Sequence, residues 1–258
     1  MNDKAMEKKY ELTDEVIRVI DIEGRPSLLY RIKALRDFEC KGTPVKAGDL
    51  GGFVESEDNL SHSGTCWIFD DAKVYDSAKV YGDACIIDLA EVGEDAKVSG
   101  SAVVADTAIV KGYSEVYDRA AVFDMACVSG VSVISEETCV YGKASVETSF
   151  VRGSSFVNGN AIVCNGAIVS GSANVRGDAI IYGDAAVYTN SDFIVFDIWW
   201  SDKNERYTWT RSNNKWNGWD GAITAKEMIA KGYEDSPTSW MRFEEIVRYV
   251  NEIRAEEI

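Results

Sequence analysis

A six-residue beat in the branched aliphatic residues constrains this chain more than any other feature. It falls at Ile68, Val74, Val80, Ile86, Val92, Val98, Val104, Val110, Val116, Val122, Val128, Ile134, Val140 and Val146. After one interval shortened by a residue, it resumes at Val151, Val157, Val163, Val169, Val175, Ile181 and Val187. Two residues before each aliphatic stands a small residue, as at Ala72, Ala78, Ala84, Ala161 and Ala167, with Cys66, Ser114, Ser132, Thr138, Ser149 and Ser155 in the same slot. Positions two apart on a strand share a face. Each hexad is therefore a short strand that turns one small and one branched side chain inward, as the narrow interior of a triangular prism requires. The hexads end in turn formers such as YGD, SGS, RGS and NGN, residues that accept positive φ at sharp corners.

Three hexads make one coil, so the 21 hexads predict about seven coils. Stacked at the usual strand spacing they reach roughly 34 Å. Pro26, Pro44 and Pro237 all lie outside the repeat, where a missing N–H breaks no ladder. The expected fold is mainly β: a parallel β-helix over residues 61–189, an N-terminal hairpin and cap over 1–60, and a small aromatic-rich α/β module over 190–258.

The residues flanking each aliphatic point outward, and they differ by face. On the face of Ile68, Ile86, Val104, Val122 and Val140, they include Trp67, Phe69, Val103, Phe123, Tyr141 and, after the slip, Phe156. An apolar stripe of this length needs a cover. Either the terminal segments fold back over it or another subunit does, and these six residues are the expected oligomer interface. The other two faces begin polar, with Lys73, Glu91, Lys79, Lys97 and Glu115, and turn apolar further on.

The formal charge of -16 opposes general nucleic-acid binding, because such a surface repels phosphate backbones. A local basic patch leaves room for one small anion. No apolar run approaches the ~18 residues of a membrane span, and the opening MNDKAMEKKYELTDE has no apolar signal region. The expectation is a cytoplasmic protein without a membrane partner. The six cysteines form no C-x-x-C pair, so no metal or cofactor is signalled and they read as structural thiols of a reducing compartment.

Before the repeat, Val16–Ile22 and Leu28–Leu35 read as two strands joined by E-G-R-P, and Gly48–Gly52 reads as a turn, without the spacing of a phosphate loop. After it, DFIVFDIWW and ERYTWTR read as a hairpin around SDKN, and Asn213–Trp219 as a loop. A short helix follows near Thr224–Lys231. A last helix begins at Ser236-Pro237, with Trp240, Phe243, Ile246, Val247, Val250 and Ile253 on one face, expected against the prism wall. This tail mixes Trp199, Trp200, Lys203, Arg206, Tyr207, Trp209, Arg211, Lys215, Trp216 and Trp219. Two readings stand: a pocket in which Arg206, Trp209, Arg211 and Trp216 hold a planar or phosphorylated ligand, or the packed core of a small domain.

The hexads resemble the hexapeptide-repeat superfamily of left-handed parallel β-helices, many of them homotrimeric acyl- and acetyltransferases. The segment Ala47–Ala72, AGDLGGFVESEDNLSHSGTCWIFDDA, resembles a subgroup of bacterial and phage proteins labelled as transferases with little assigned chemistry. The resemblance implies a left-handed helix and side-by-side association, with a trimer expected. It implies for the enzymes a coil histidine as general base toward the acceptor. This chain has one histidine, His62 in NLSHSG, ahead of the first regular hexad, and it lacks the protruding loop that helps form the site in those enzymes. The expected function is therefore a non-catalytic oligomer that binds a small ligand or partner, with phage-encoded sequestration of a nucleotide-like host signal as its concrete version. An acyl- or acetyltransferase with His62 as base is the alternative, and a purely structural assembly protein the second.

Overall fold

A computed structural model describes residues 8–20, 26–199, 204–218, 221–235 and 240–255. Its centre is a parallel β-solenoid of about eight turns. The 21 short strands β6 to β26 run from Trp67–Ile68 to Ala186–Val187, one per hexad, and stack into three faces. Face A carries Val74 to Ile181, face B Val80 to Val187, and face C Ile68 to Val175. Every branched aliphatic of the repeat is buried, as is the small residue two before it.

The corners explain how a hexad closes. The second residue after each aliphatic has positive φ, from Asp70 (52°) and Asp76 (55°) through Gly82 (70°) to Gly183 (66°). The last aliphatic, Val187, is followed by Thr189 at φ -140°, and there the chain leaves the prism. The one-residue slip is absorbed at Thr148 (φ 48°), and the rungs on either side stay in register, Cys127 opposite Ser145 and Val133 opposite Phe150.

Aspartates occupy many corners in place of glycine for a second reason. Asp70 accepts the N–H of Asp88, Asp88 that of Asp106, Asp106 that of Asp124 and Asp124 that of Gly142, at 3.4, 3.2, 3.0 and 2.9 Å. Each carboxylate satisfies a corner amide one coil along. Part of the acidity is thus structural. The outward lysines and glutamates of the lower coils pair across neighbouring rungs, Lys73 with Glu91 at 2.7 Å and Lys97 with Glu115 at 2.9 Å.

The coil count exceeds the seven expected because the N-terminal segment contributes a turn. Strands β1 (Tyr10–Ile20) and β2 (Pro26–Ala34) form the expected hairpin; the residues joining them lie outside those described. β3 (Phe38–Cys40) and β4 (Thr43–Val45) form a second, smaller hairpin. β5 (Leu50–Val54) pairs antiparallel with β2 but parallel with β7 (Lys73–Val74), and Leu60 bridges in parallel to Val80. The glycine-rich stretch is therefore a turn only at Gly48 (φ 97°). Gly51 and Gly52 are strand residues pressed on the coil above, where a Cβ on Gly52 would stand 2.4 Å from the Ala72 carbonyl oxygen. Arg31 ties these layers together: it bonds Glu15, the carbonyls of Gly51 and Asp70, and Asp71, with its guanidinium 4.1 Å from the Phe53 ring centre.

At the far end, β27 (Phe193–Trp199), β28 (Asn204–Thr210), β29 (Lys215–Gly218) and β30 (Gly221–Ile223) form one antiparallel sheet. The expected loop over 213–219 is thus largely strand, because Trp216 pairs with Trp209 and buries on one side of this sheet. The sheet is a layer between prism and helices. Phe193 and Val195 pack on the prism core, while Ile194 and Phe196 pack with Trp209, Trp216 and Met228 on the other side. Helix α1 (Ala225–Asp235) begins with a reciprocal cap, in which Glu227 accepts the Thr224 N–H and the Thr224 hydroxyl accepts the Glu227 N–H. Helix α2 (Trp240–Ala255) sets Ile246, Val247 and Val250 into that same cluster. These three described residues pack on the tail's own sheet and α1 rather than on the prism wall, while the side chains of Trp240, Phe243 and Ile253 lie outside the described residues. Its expected start at Ser236-Pro237 lies outside the described residues. No described helix is long and apolar enough to cross a membrane.

Candidate functional site

The tail cluster does not form an open ligand platform. Trp209 and Trp216 are fully buried, the indole N–H of Trp209 donates to Asn214 at 3.0 Å, and Trp216 meets Phe196 at 5.3 Å between ring centres. The cations face carboxylates of the chain itself. Arg206 pairs with Asp178, Arg211 lies 3.9 Å from Asp192, and Lys215 is 3.1 Å from Asp184. Asp178 and Asp184 belong to the last coil, so the ion pairs latch the sheet onto the prism end. Asn213 and Lys215 hold the Asp184 carboxyl below the usual range. Of the residues expected to stack a ligand, Trp209 and Trp216 lie in the module's core, Arg206 reaches the last coil through Asp178, and Arg211 faces Asp192 of the tail itself. Trp200, Lys203 and Trp219 lie outside the described residues.

That docking closes the prism. In the last coil each face presents an edge N–H with no further coil to accept it. Asn174 donates to the Asn190 side-chain oxygen at 2.7 Å, Ile180 to the Thr208 hydroxyl at 2.8 Å and Ala186 to the Ser212 hydroxyl at 2.7 Å. The tail caps its own prism, one polar side chain per face.

His62 sits at the other end, in the irregular first turn. Its Nδ1 accepts the Lys9 N–H at 3.2 Å, and its ring stacks on Tyr10 at 4.4 Å between centres. Its Nε2 is shielded and lies 3.7 Å from Glu57, beyond hydrogen-bond length. Lys8 holds the Glu57 carboxyl below the usual range, with a smaller contribution from His62. Tyr10 reaches the Leu60 carbonyl at 2.8 Å. Next to this stack, fully buried Lys9 donates to the Cys66 carbonyl at 2.7 Å, and burial lowers its pKa. A general base needs a nitrogen that an acceptor can reach, and neither nitrogen of His62 is open. The group is a plug that pins the start of β1 to the first turn. The sequence signalled only the histidine; Lys9 and Tyr10 belong to a segment whose charge masked its burial.

The apolar stripe on face C divides in two. Trp67 is sealed by its own chain, meeting Phe38 of β3 edge to face at 5.3 Å and Tyr10 at 6.3 Å. Trp67 is thus removed from the expected oligomer interface. Phe69 and Val103 are half-buried and pack with Phe38 on the same core. Above the hairpin the stripe stays open. Phe123 and Tyr141 stack in parallel at 5.0 Å, and Phe156 on the next coil is 39% exposed.

Shallow grooves follow the corners. The larger, about 710 Å³, runs past Asp83, Ser101, Asp118, Glu136 and Ser154, with Arg119 paired to Glu137. Its excess of carboxylates opposes an anionic ligand. Another of about 520 Å³ runs past Asp106, Asp124, Met125 and Lys143. Comparison with protein-family models finds no match, and none of the curated proteins matches the chain.

Proposed function

We propose that this chain is a non-catalytic, homo-oligomeric β-helix protein, a trimer formed side by side through face C, which binds a small ligand or protein partner along its lateral surfaces. The observation that carries the reading is the uncovered stripe of Phe123, Tyr141 and Phe156, on a prism whose last coil is sealed by its own tail. Sealed ends disfavour end-to-end growth, and a rigid lateral wall with stacked aromatic residues favours lateral association. The resemblance of Ala47–Ala72 to bacterial and phage proteins labelled as transferases supports the same arrangement, in the cytoplasm of a producing or host cell.

The ligand reading moves with the geometry. With Arg206 and Arg211 facing carboxylates of their own chain, the tail gives no support to a nucleotide-like anion there. A ligand site would lie between copies instead. The acyl- or acetyltransferase reading loses its base, because both nitrogens of His62 are occupied or shielded.

The test is sedimentation velocity on the wild type and on a Tyr141→Asp, Phe156→Asp double variant. A wild-type trimer that the charged variant turns into a folded monomer supports the reading. A wild type that sediments as a monomer at micromolar concentration overturns it.

A further inference from the structure

Two of the six cysteines meet at the seam between the smaller N-terminal hairpin and the prism. Cys40 ends β3, and Cys85 fills an outward slot of the second rung on face C; their sulfurs lie 2.9 Å apart and both side chains are buried. We propose that Cys40 and Cys85 are a peroxide-sensitive pair that closes to a disulfide, fastening the hairpin to the prism.

The geometry is nearly that of the product. A disulfide needs about 2.05 Å between sulfurs, so the pair must close by less than an ångström. The hairpin side is the adaptable partner: its exposed two-residue turn, Lys41 (φ 53°) and Gly42 (φ 82°), rests on the prism through a contact from the Lys41 ammonium to the Ser101 carbonyl. The other thiols have different settings. Cys66 faces the Lys9 ammonium at 3.2 Å, and Cys127 and Cys139 point outward from coils further along the prism.

The two sulfurs are chemically unequal. The sulfurs share one hydrogen bond in which either can donate, and the Lys9 and Lys41 ammonium groups both act to lower the Cys40 thiol, whereas the neighbouring sulfur and burial raise Cys85. Cys40 is then the nucleophile and Cys85 the resolving thiol. The Cys40 thiolate attacks one oxygen of hydrogen peroxide, the O–O bond breaks, and hydroxide leaves with a sulfenic acid on Cys40. Cys85 attacks that sulfur, the S–O bond breaks, and its proton joins the departing oxygen. Two thiols and one peroxide give one disulfide and two waters.

The bond would matter because this hairpin covers Trp67 and the foot of the apolar stripe. It would lock residues 40 to 85 into a closed loop and hold the cover in place.

The full chain, treated with hydrogen peroxide at neutral pH, is denatured in an alkylating agent, weighed intact and digested. The expected result is loss of two of the six alkylatable thiols, a peptide pair linked through Cys40 and Cys85, and full reversal by a dithiol reductant. The thermal midpoint of the oxidised protein should rise by several degrees, and Cys85→Ser should abolish both changes. Where Cys85→Ser fails to fold, Cys127→Ser keeps the pair and must oxidise as the wild type does. Retention of all six thiols, oxygen addition without a linked peptide, or a linkage through any other cysteine overturns the proposal.

Discussion

The hydroxyl of Thr208 accepts the backbone N–H of Ile180 at 2.8 Å, and through that contact the C-terminal sheet stands in for an absent coil. Both groups are buried. A valine at 208 keeps the shape and removes the acceptor, leaving an unpaired amide whose cost is about 1–3 kcal/mol. Thr208→Val should lower the urea midpoint accordingly, and hydrogen exchange at Ile180 should accelerate while the amides of the middle coils keep their protection.

The prism interior contains its own control pair. Ser114 and Ser132 occupy the same small-residue slot one coil apart on face B, and both are fully buried. The Ser132 hydroxyl donates to the Ser129 carbonyl at 2.7 Å and accepts the Ser149 N–H at 3.3 Å, whereas the Ser114 hydroxyl has no protein partner. Ser114→Ala should be neutral or stabilising by up to about 1 kcal/mol, and Ser132→Ala destabilising by a similar amount. Equal losses in the two variants, by equilibrium denaturation, would refute this account of the polar slots.

Gly52 is the small inward residue of the extra turn. A Cβ there would lie 2.4 Å from both the Ala72 carbonyl oxygen and the Ile68 side chain. Gly52→Ala should destabilise by about 1–3 kcal/mol, measured as a lower thermal midpoint, with lost protection in β5 and β7.

Alkaline pH should destabilise the fold. Burial pushes the thiols of Cys66, Cys127, Cys139 and Cys164 up. The folded chain keeps protons that the unfolded chain releases above the ordinary thiol value of about 8.5, so stability falls as pH rises through this range. Denaturation midpoints between pH 7 and 10 should decline, and the slope should lessen in Cys127→Ala, Cys139→Ala. A midpoint flat to pH 10 would contradict it.

The prism was legible in the sequence because its signal is redundant: each aliphatic from Ile68 to Val187, with a small residue two before it, restates one local rule. The tail was less legible for the opposite reason. Arg206 and Lys215 look the same in sequence whether they face a ligand or face Asp178 and Asp184. Only the fold decides, and here it brings the sheet down on the last coil. Trp67 misled in a similar way. Its slot on face C points outward as the repeat implies, yet the hairpin that covers it comes from residues 38–45, well before it in the chain, with nothing periodic to announce it. Cys40 and Cys85 meet across the same long-range packing, so spacing carried no hint of the pair.

Native mass spectrometry of the gently purified protein tests the central claim most directly, since it reports subunit number and any retained small molecule together. The account predicts a trimer, about three times the 28.5 kDa of one chain, that falls to a monomer when Tyr141 and Phe156 are both replaced by aspartate. A bare monomer of the wild type at micromolar concentration would contradict it, leaving Phe123, Tyr141 and Phe156 as the wall of a prism that works alone.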